Sequence, residues 1–285
     1  MVRIGAHTFA WSPSLRDHEA TEIFARLKNS DLDFIEAASY DLDGLSPGHL
    51  KDLSDRHGLP HTICSGLPRG LSLASTDLNK RREAQEHVRR LLDFAQTSGA
   101  EKVSGPIHGD LSQLASEPST SEDWQRLCES YGELAAEIGA WGKPFSVEPL
   151  NRYQSSLLNT IEQTQALSEA VALANFGILV DLFHANLEQT NLYDDLLSHQ
   201  ASTTHVHLCG ANRGMIGTCH LDWSRLGQWL RQFPRDYGVS IETFNSHDPL
   251  LSRRTRTWRE LGAPAEQIVL EGATILKHLV GAASP

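Results

Sequence analysis

The sequence has few cysteines, and no two of them stand at the spacing of a metal finger. The four cysteines, Cys64, Cys128, Cys209 and Cys219, are widely and irregularly spaced, with no CxxC pair. This pattern is typical of free thiols in a reducing compartment, so we expect four unpaired cysteines. A disulfide or a thiolate metal pair between Cys209 and Cys219 is the alternative, but the residues around them favour neither.

Long apolar runs and repeats are also missing. No uninterrupted apolar run approaches the roughly 20 residues of a membrane-spanning helix, so we expect no membrane association of that kind. The opening MVRIGAHTFAWSPS has no long apolar stretch after its single arginine, which argues against a secretory signal. No low-complexity tract or proline- and serine-rich linker divides the chain. The sequence therefore predicts one cytoplasmic catalytic domain over residues 1–285.

Positive charge is scarce relative to negative charge. Lysine and arginine number 25 against 36 aspartates and glutamates, which gives a formal net charge of −11. Surfaces that bind nucleic acid or anionic lipid need a basic face, so we expect neither partner. Apolar residues make up 40% and charged residues 21% of the chain. These values are ordinary for a globular protein and exclude general disorder, collagen and a coiled coil.

Eight short apolar runs alternate with amphipathic segments along the chain. Several runs are rich in β-branched residues and are bounded by glycine, proline or asparagine, as buried strands are. The predicted strands cover residues 2–6, 33–37, 62–65, 102–104, 145–147, 177–180, 205–208 and 239–241. Helical periodicity marks segments between and after them, including 19–28, 76–99, 127–138, 160–173, 223–233 and 266–280. Because parallel strands need a crossover, this alternation predicts a parallel sheet.

Eight such units in a chain of this length predict an α/β fold of the (β/α)8 TIM-barrel type. A doubly wound sheet is the alternative. However, the first strand is followed by Gly5-Ala-His-Thr-Phe rather than by GxGxxG, and no GxxxxGK[ST] occurs in the chain. Folds that hold nucleotide phosphates on glycine-rich loops are therefore disfavoured.

Polar residues stand where the predicted strands end, and in a barrel these ends share one mouth, where the chemistry takes place. In chain order they include His7, Glu36, Ser65, His108, Glu148, Asp181, His207 and Glu242. The last four place three carboxylates and one imidazole on consecutive strands. Buried charges need partners or a metal, and a divalent cation would offset these carboxylates. Oxygen-rich ligation with one imidazole suits Mn²⁺, Mg²⁺, Co²⁺ or Fe²⁺, with Zn²⁺ still open. The alternative is four separate strand-end ion pairs.

Four ordered motifs carry a resemblance to a known family. They read EPLNRYQSSLLNT from Glu148, VDLFHANLE from Val180, HVHLCGANRG from His205 and IETF from Ile241. Together they resemble the fifth- to eighth-strand motifs of the D-tagatose/D-allulose (ketose) 3-epimerases, within the xylose isomerase-like TIM barrels. Weaker similarity extends over nearly the whole chain.

The resemblance implies a metal-dependent enzyme that inverts C3 of a free ketose such as D-allulose, D-tagatose, D-fructose or L-ribulose. It implies a divalent metal ion, Mn²⁺ first and Co²⁺ or Mg²⁺ next. The implied metal ligands are Glu148, Asp181, His207 and Glu242. Glu148 and Glu242 would also be the catalytic acid and base, and His184 and Arg213 would contact the substrate.

Two departures from the family pattern stand where substrate hydroxyls would be bound. Gln154 replaces the usual glutamate six residues after the catalytic one, and Gly210 replaces an acidic residue three after the metal histidine. Gln154 is therefore a further predicted substrate contact. Glu36 and His7 are predicted substrate contacts too, because they follow the first two strands; Phe9 and Trp11 are candidates for an apolar wall.

The chemistry explains why these residue types are needed. Inverting a carbon beside a carbonyl removes a proton from one face and returns one to the other through an enediolate.

For the assembly of the protein, a homodimer or homotetramer is expected. The main alternative is an aldose–ketose or hydroxypyruvate-type isomerase. A repair nuclease on the same barrel would need a basic groove, and a non-catalytic sugar-binding barrel would not need both glutamates.

Overall fold

The structure is a computed structural model that describes residues 2–40, 42–110, 117–234 and 237–281. Eight strands form one closed barrel in which every neighbouring pair is parallel, and β8 returns to pair with β1. The strands are β1 (Arg3–His7), β2 (Phe34–Ala38), β3 (His61–Cys64), β4 (Val103–Gly105), β5 (Phe145–Val147), β6 (Phe176–Asp181), β7 (Thr203–Leu208) and β8 (Gly238–Ile241). The predicted (β/α)8 barrel is confirmed, with each strand within two residues of its predicted bounds.

The described residues form ten α-helices. They are α1 (Asp17–Leu27), α2 (Pro47–His57), α3 (Leu78–Ser98), α4 (Ser121–Trp141), α5 (Ile161–Val171), α6 (Leu182–Glu188), α7 (Leu192–Ser198), α8 (Trp223–Leu230), α9 (Pro249–Thr255) and α10 (Ala265–Gly281). At least one helix joins each strand to the next, as parallel pairing requires. No helix in these ranges is long and apolar enough to cross a membrane.

Local signals in the sequence determine where several helices begin and end. The Thr160 hydroxyl accepts a hydrogen bond from the Gln163 amide, and the Gln163 side chain accepts one from the Thr160 amide, so the predicted capping box starts α5. The Asp77 side chain caps α3, which stops at Gly99 in the left-handed conformation. All four cysteines are free, as predicted.

The apolar core lies between the barrel and its helices. Its main cluster joins strand residues such as Ile35 and Phe145 to helix residues such as Leu53 and Leu91, and a second, small cluster contains Phe9, Ala38 and Leu251. The inside of the barrel is more polar. Lys102, His205 and Glu36 are all buried there, below the end where the strand termini meet. This polar interior lies directly beneath the polar residues at the carboxyl ends of the strands.

Candidate active site

The four predicted metal ligands converge at the carboxyl end of the barrel. Glu148 directly follows β5, Asp181 ends β6, His207 is the penultimate residue of β7, and Glu242 directly follows β8. One ligand atom of each lies within 4.8 Å of those of the others, and all four residues are buried. Parallel pairing of consecutive strands produces this convergence, because it aligns their carboxyl ends.

The ligand atoms of this cluster point to a shared space. His207 Nδ1 lies 3.0 Å from Glu242 Oε2 and 3.9 Å from Asp181 Oδ2. Among the described residues, His207 Nδ1 has no partner in hydrogen-bonding geometry, and the charged partner of Asp181 Oδ2 is Arg213, whose Nη2 lies 2.6 Å away. Burying a ring nitrogen such as His207 Nδ1 without a partner costs free energy. Three carboxylates and one imidazole nitrogen that face one point therefore fit a divalent cation.

The carboxyl groups in the cluster have opposed pKa shifts. Burial raises the pKa of Glu148 well above its ordinary value, and the neighbouring carboxylates of Asp181 and Glu242 add to this effect. Burial also raises the pKa of Asp181, to about 6. Burial acts the same way on Glu242, but Arg213 and His207 hold the pKa of Glu242 well below its usual range. Environments that push two carboxyl pKa values apart suit an acid and a base.

Arg213 reaches into the cluster from the loop after β7. Its Nη1 donates a hydrogen bond to Glu242 Oε2 at 2.7 Å, and its Nη2 lies 2.6 Å from Asp181 Oδ2. The guanidinium packs between the rings of Phe183 and Phe244, 4.6 and 4.9 Å from their centroids. The backbone of Arg213 is left-handed, with φ of 66°. This conformation is uncommon for a residue other than glycine.

His184 presents one N–H group to the same space. Its Nδ1 accepts hydrogen bonds from the Asn151 backbone amide at 3.1 Å and the Asn151 side chain at 2.8 Å. Burial lowers the pKa of His184 well below its ordinary value, so the ring is neutral and its proton is on Nε2. His184 Nε2 lies 3.3 Å from Arg213 Nη2. Two donors cannot hydrogen-bond to each other, and because Arg213 Nη2 already faces Asp181 Oδ2, the His184 Nε2–H group is the donor left for a substrate oxygen. Sequence analysis did not identify Asn151, although it lies within the EPLNRY motif.

Glu36, predicted as a substrate contact, lies beneath the cluster of candidate metal ligands. It is fully buried and is not among the described residues that line the cavity above. Its carboxylate accepts hydrogen bonds from Ser104 Oγ at 2.6 Å, His205 Nε2 at 2.9 Å and His207 Nε2 at 3.0 Å. Because its Nε2–H group donates a hydrogen bond to Glu36, His207 directs Nδ1 at the three carboxylates. Such a carboxylate–histidine pair orients metal ligands.

A second buried charge continues this network downward. Lys102 Nζ lies 3.1 Å from His205 Nδ1 and donates to the Thr204 carbonyl at 2.6 Å. Burial lowers the pKa of Lys102 to about 8, so the ammonium is mostly charged at neutral pH and offsets the charge of Glu36. Sequence analysis placed Lys102 and His205 in strands and gave them no role. A lysine inside an apolar strand was the available signal.

The remaining predicted contacts differ in whether they line the cavity. Gln154 lines the cavity, as expected. His7 is fully buried behind Phe9, whose amide donates to His7 Nδ1 at 3.2 Å, and His7 is not among the described lining residues. The structure thus places His7 outside the described lining of the cavity, and its contact with substrate stays a prediction. Trp11 donates to Glu266 at 3.0 Å rather than forming an apolar wall.

A cavity of about 640 Å³ opens above the cluster. Glu148, His184, Arg213 and Glu242 form its buried inner end. Aromatic rings form one wall: Phe9 stacks on Tyr40 with their centroids 5.9 Å apart, and Phe244 also lines the cavity. A polar, ionisable floor beside an apolar wall is typical of small-molecule sites.

Residues 24–278 match the family model described as "Xylose isomerase-like TIM barrel". The chain belongs to this family. It is 32% identical over 277 residues to a protein of Synechocystis sp. named "Probable ketose 3-epimerase", with 97% of this chain and 96% of the relative covered. It is 29% identical to an L-ribulose 3-epimerase of Mesorhizobium japonicum, with 92% and 89% covered.

Solved structures agree with this assignment. The structure titled "Structure of L-ribulose 3-epimerase" superimposes with a TM-score of 0.90 at 26% identity, covering 99% of this chain and 95% of that one. The D-allulose 3-epimerase of Methylomonas sp., solved with D-allulose, has a TM-score of 0.89 at 24% identity, covering 97% and 96%, and supports the fold. The expected resemblance to the ketose 3-epimerases and the expected isomerase class are confirmed.

Proposed function

We propose that this protein is a divalent-metal-dependent ketose 3-epimerase. The observation that carries the proposal is the cluster of Glu148, Asp181, His207 and Glu242, whose ligand atoms converge within 4.8 Å at the floor of a large cavity. These four residues would hold the metal ion, Mn²⁺ first and Co²⁺ or Mg²⁺ next. Candidate substrates are D-allulose, D-tagatose, D-fructose and L-ribulose, since relatives are named for allulose (psicose) and ribulose.

Glu148 and Glu242 would move the proton at C3. They come from β5 and β8, three strands apart around the barrel, so they can flank a ketose that enters from the cavity. One carboxylate takes the C3 proton from one face, and the other returns a proton to the opposite face. A divalent ion held by Glu148, Asp181, His207 and Glu242 would supply Lewis acidity that stabilises the enediolate.

His184 and Arg213 would orient the sugar. Both offer N–H donors at the inner end of the cavity, and neither has a negative charge that would repel a developing oxyanion. Donors that are fixed before the substrate arrives stabilise charge without reorganisation. Asn151 holds the His184 tautomer, and Phe183 and Phe244 hold the Arg213 plane. Gln154 would bind a hydroxyl near C1 and C2.

Hydrogen exchange tests the proposed function directly. The Mn²⁺-loaded protein should exchange the C3 hydrogen of D-fructose or D-allulose with ²H₂O and interconvert the two sugars. Glu148→Gln and Glu242→Gln should each lower turnover by several orders of magnitude, because each removes a proton carrier and a charged ligand. Glu169→Gln, at an exposed position on α5, is the matched control. Exchange at the wild-type rate in either site variant would refute its role.

Product analysis separates the alternative. An aldose–ketose or hydroxypyruvate-type isomerase would move a proton between C1 and C2 and release an aldose, which chromatography distinguishes from a C3 epimer. We also propose that the chain acts as one cytoplasmic domain in a homodimer or homotetramer. Light scattering coupled to size exclusion measures the oligomeric state.

A further inference from the structure

Five exposed arginines line the outer part of the cavity, above the buried cluster. We call them the arginine rim: Arg16, Arg69, Arg253, Arg254 and Arg256. Within the described ranges, none of the five forms an ion pair with a carboxylate. Arginines elsewhere on the surface do, as in Arg26–Glu266 at 2.7 Å and Arg225–Asp194 at 3.1 Å. Although the chain has a net charge of −11, it therefore concentrates at the entrance to its site five arginines that have no carboxylate partner in the described part of the chain.

The acidic residues at the entrance do not cancel this charge. Glu19, Asp110 and Asp248 are the carboxylates of the outer lining. Each accepts a hydrogen bond from the backbone, and the donors are the amides of Arg16, Gly70, Leu250 and Leu251. Among the described lining residues, five guanidinium groups against three carboxylates leave a net charge of +2 at the rim. The floor contributes little further charge once a divalent ion and Arg213 offset its three carboxylates.

The segment that carries three of the rim arginines is well fixed. After α9 the chain turns through Arg256, whose backbone is left-handed with φ of 58°. Ser252 Oγ donates to the Thr257 carbonyl at 2.8 Å and holds this turn. The guanidinium of Arg254 lies over the Tyr40 ring, 5.9 Å from its centroid, directly above the aromatic wall. Strained backbone of this kind persists where the surroundings hold it in place.

The cavity has room for a ligand that reaches from the buried floor to the arginine rim. A volume of about 640 Å³ is in the range of sites that enclose drug-sized ligands, which are larger than one neutral ketose. A ketose with its reacting carbons at Glu148 and Glu242 would extend its far end along the aromatic wall to the arginine rim. Guanidinium groups match phosphate oxygens in geometry and bind them with charge-assisted hydrogen bonds.

We infer that this enzyme prefers ketoses that carry an anionic group, a phosphate monoester, at the end remote from the carbonyl. The inference rests on the proposed function for the reacting end of the sugar. A phosphate dianion matches the net charge of +2 at the rim. A terminal carboxylate is the second source of the same chemistry, and a monoanion should bind more weakly.

Kinetics with matched substrates test this preference. For the Mn²⁺-loaded wild type, kcat/KM for D-fructose 6-phosphate should exceed that for D-fructose at least tenfold, with a ketohexuronate between them. The triple variant Arg253→Gln/Arg254→Gln/Arg256→Asn should lose that advantage and keep its activity on D-fructose. Asparagine is chosen at 256 because it tolerates the left-handed backbone. Arg259→Gln, exposed and not among the described lining residues, is the control.

Binding of an unreactive probe separates failure of this inference from failure of the proposed function. D-glucitol 6-phosphate has no carbonyl and cannot be epimerised, so the difference between its affinity and that of D-glucitol, measured by calorimetry on the Mn²⁺-loaded protein, reports the contribution of the phosphate group. D-glucitol 6-phosphate should bind at least tenfold more tightly than D-glucitol. This difference in affinity should be smaller in the triple variant and at high salt. Equal affinity for the two probes, or equal affinity in the wild type and the triple variant, would overturn the inference whatever the turnover. If the probe binds tightly but no ketose is turned over, the proposed epimerase function would be refuted instead.

Discussion

Replacing Glu36 by glutamine should weaken metal binding without touching a metal ligand. The Glu36 carboxylate accepts a hydrogen bond from His207 Nε2, with 3.0 Å between Nε2 and Oε2. The other ring nitrogen of His207, Nδ1, then faces the three carboxylates. Glutamine keeps the shape and can still accept from His207 with its oxygen, while its amide faces Ser104 Oγ, which can accept. The variant therefore removes a negative charge and little else.

The size of the effect follows from this geometry. Burial by itself would raise the pKa of Glu36, but His205 and His207 hold it well below its usual range, so Glu36 is ionised. An ionised partner makes the ligating imidazole a better donor to the metal. Loss of such a partner lowers metal affinity about 10- to 100-fold, or roughly 1.4–2.7 kcal/mol.

Titration with Mn²⁺ followed by electron paramagnetic resonance measures this affinity without any turnover. Ser104→Ala is the matched control, because it removes one hydrogen bond from Glu36 and leaves the charge and both histidine contacts intact. Its Mn²⁺ affinity should stay near that of the wild type. Wild-type affinity in a folded Glu36→Gln protein would refute the reasoning. If only the KM for the sugar rose, Glu36 would be the substrate contact that the sequence predicted.

Four further predictions follow from the structure. Mn²⁺ at about 100 times its Kd should add about 2.7 kcal/mol of stability, roughly 5 °C in Tm, and Asp181→Asn should abolish this thermal shift. Because burial raises the Asp181 pKa to about 6, protons compete with the metal below that pH, and calorimetry should show Mn²⁺ affinity falling as the pH drops through 6. Gln154→Glu should change kcat/KM about ten- to hundredfold and alter the ranking in a panel of ketopentoses and ketohexoses, since it exchanges a donor for a charge; an unchanged ranking would show that this position does not contact substrate. Gly105→Ala should lower the Tm strongly, because a Cβ there would lie 2.1 Å from the Ser65 carbonyl oxygen at a φ of 125°; a Tm within a degree of the wild type would contradict this.

The sequence by itself determined the strands and the four residues that the structure brings together as candidate metal ligands. Buried parallel strands are short apolar runs with distinct boundaries, so their positions were readable within two residues. Glu148, Asp181, His207 and Glu242 were readable because a barrel places the ends of consecutive strands at one mouth. That inference needs only chain order, and no knowledge of which side chains pair.

The tertiary structure alone decided the depth and the partners of the other polar residues. His7 and Glu36 are paired in register on β1 and β2, yet both lie below the cavity, because the tilt of the strands sets the height of each residue in the barrel. Glu36 meets His205 across 169 positions of the chain. The arginine rim likewise joins segments near residues 16, 69 and 253–256. Local periodicity determines an element, but closure of the barrel determines which distant side chains meet.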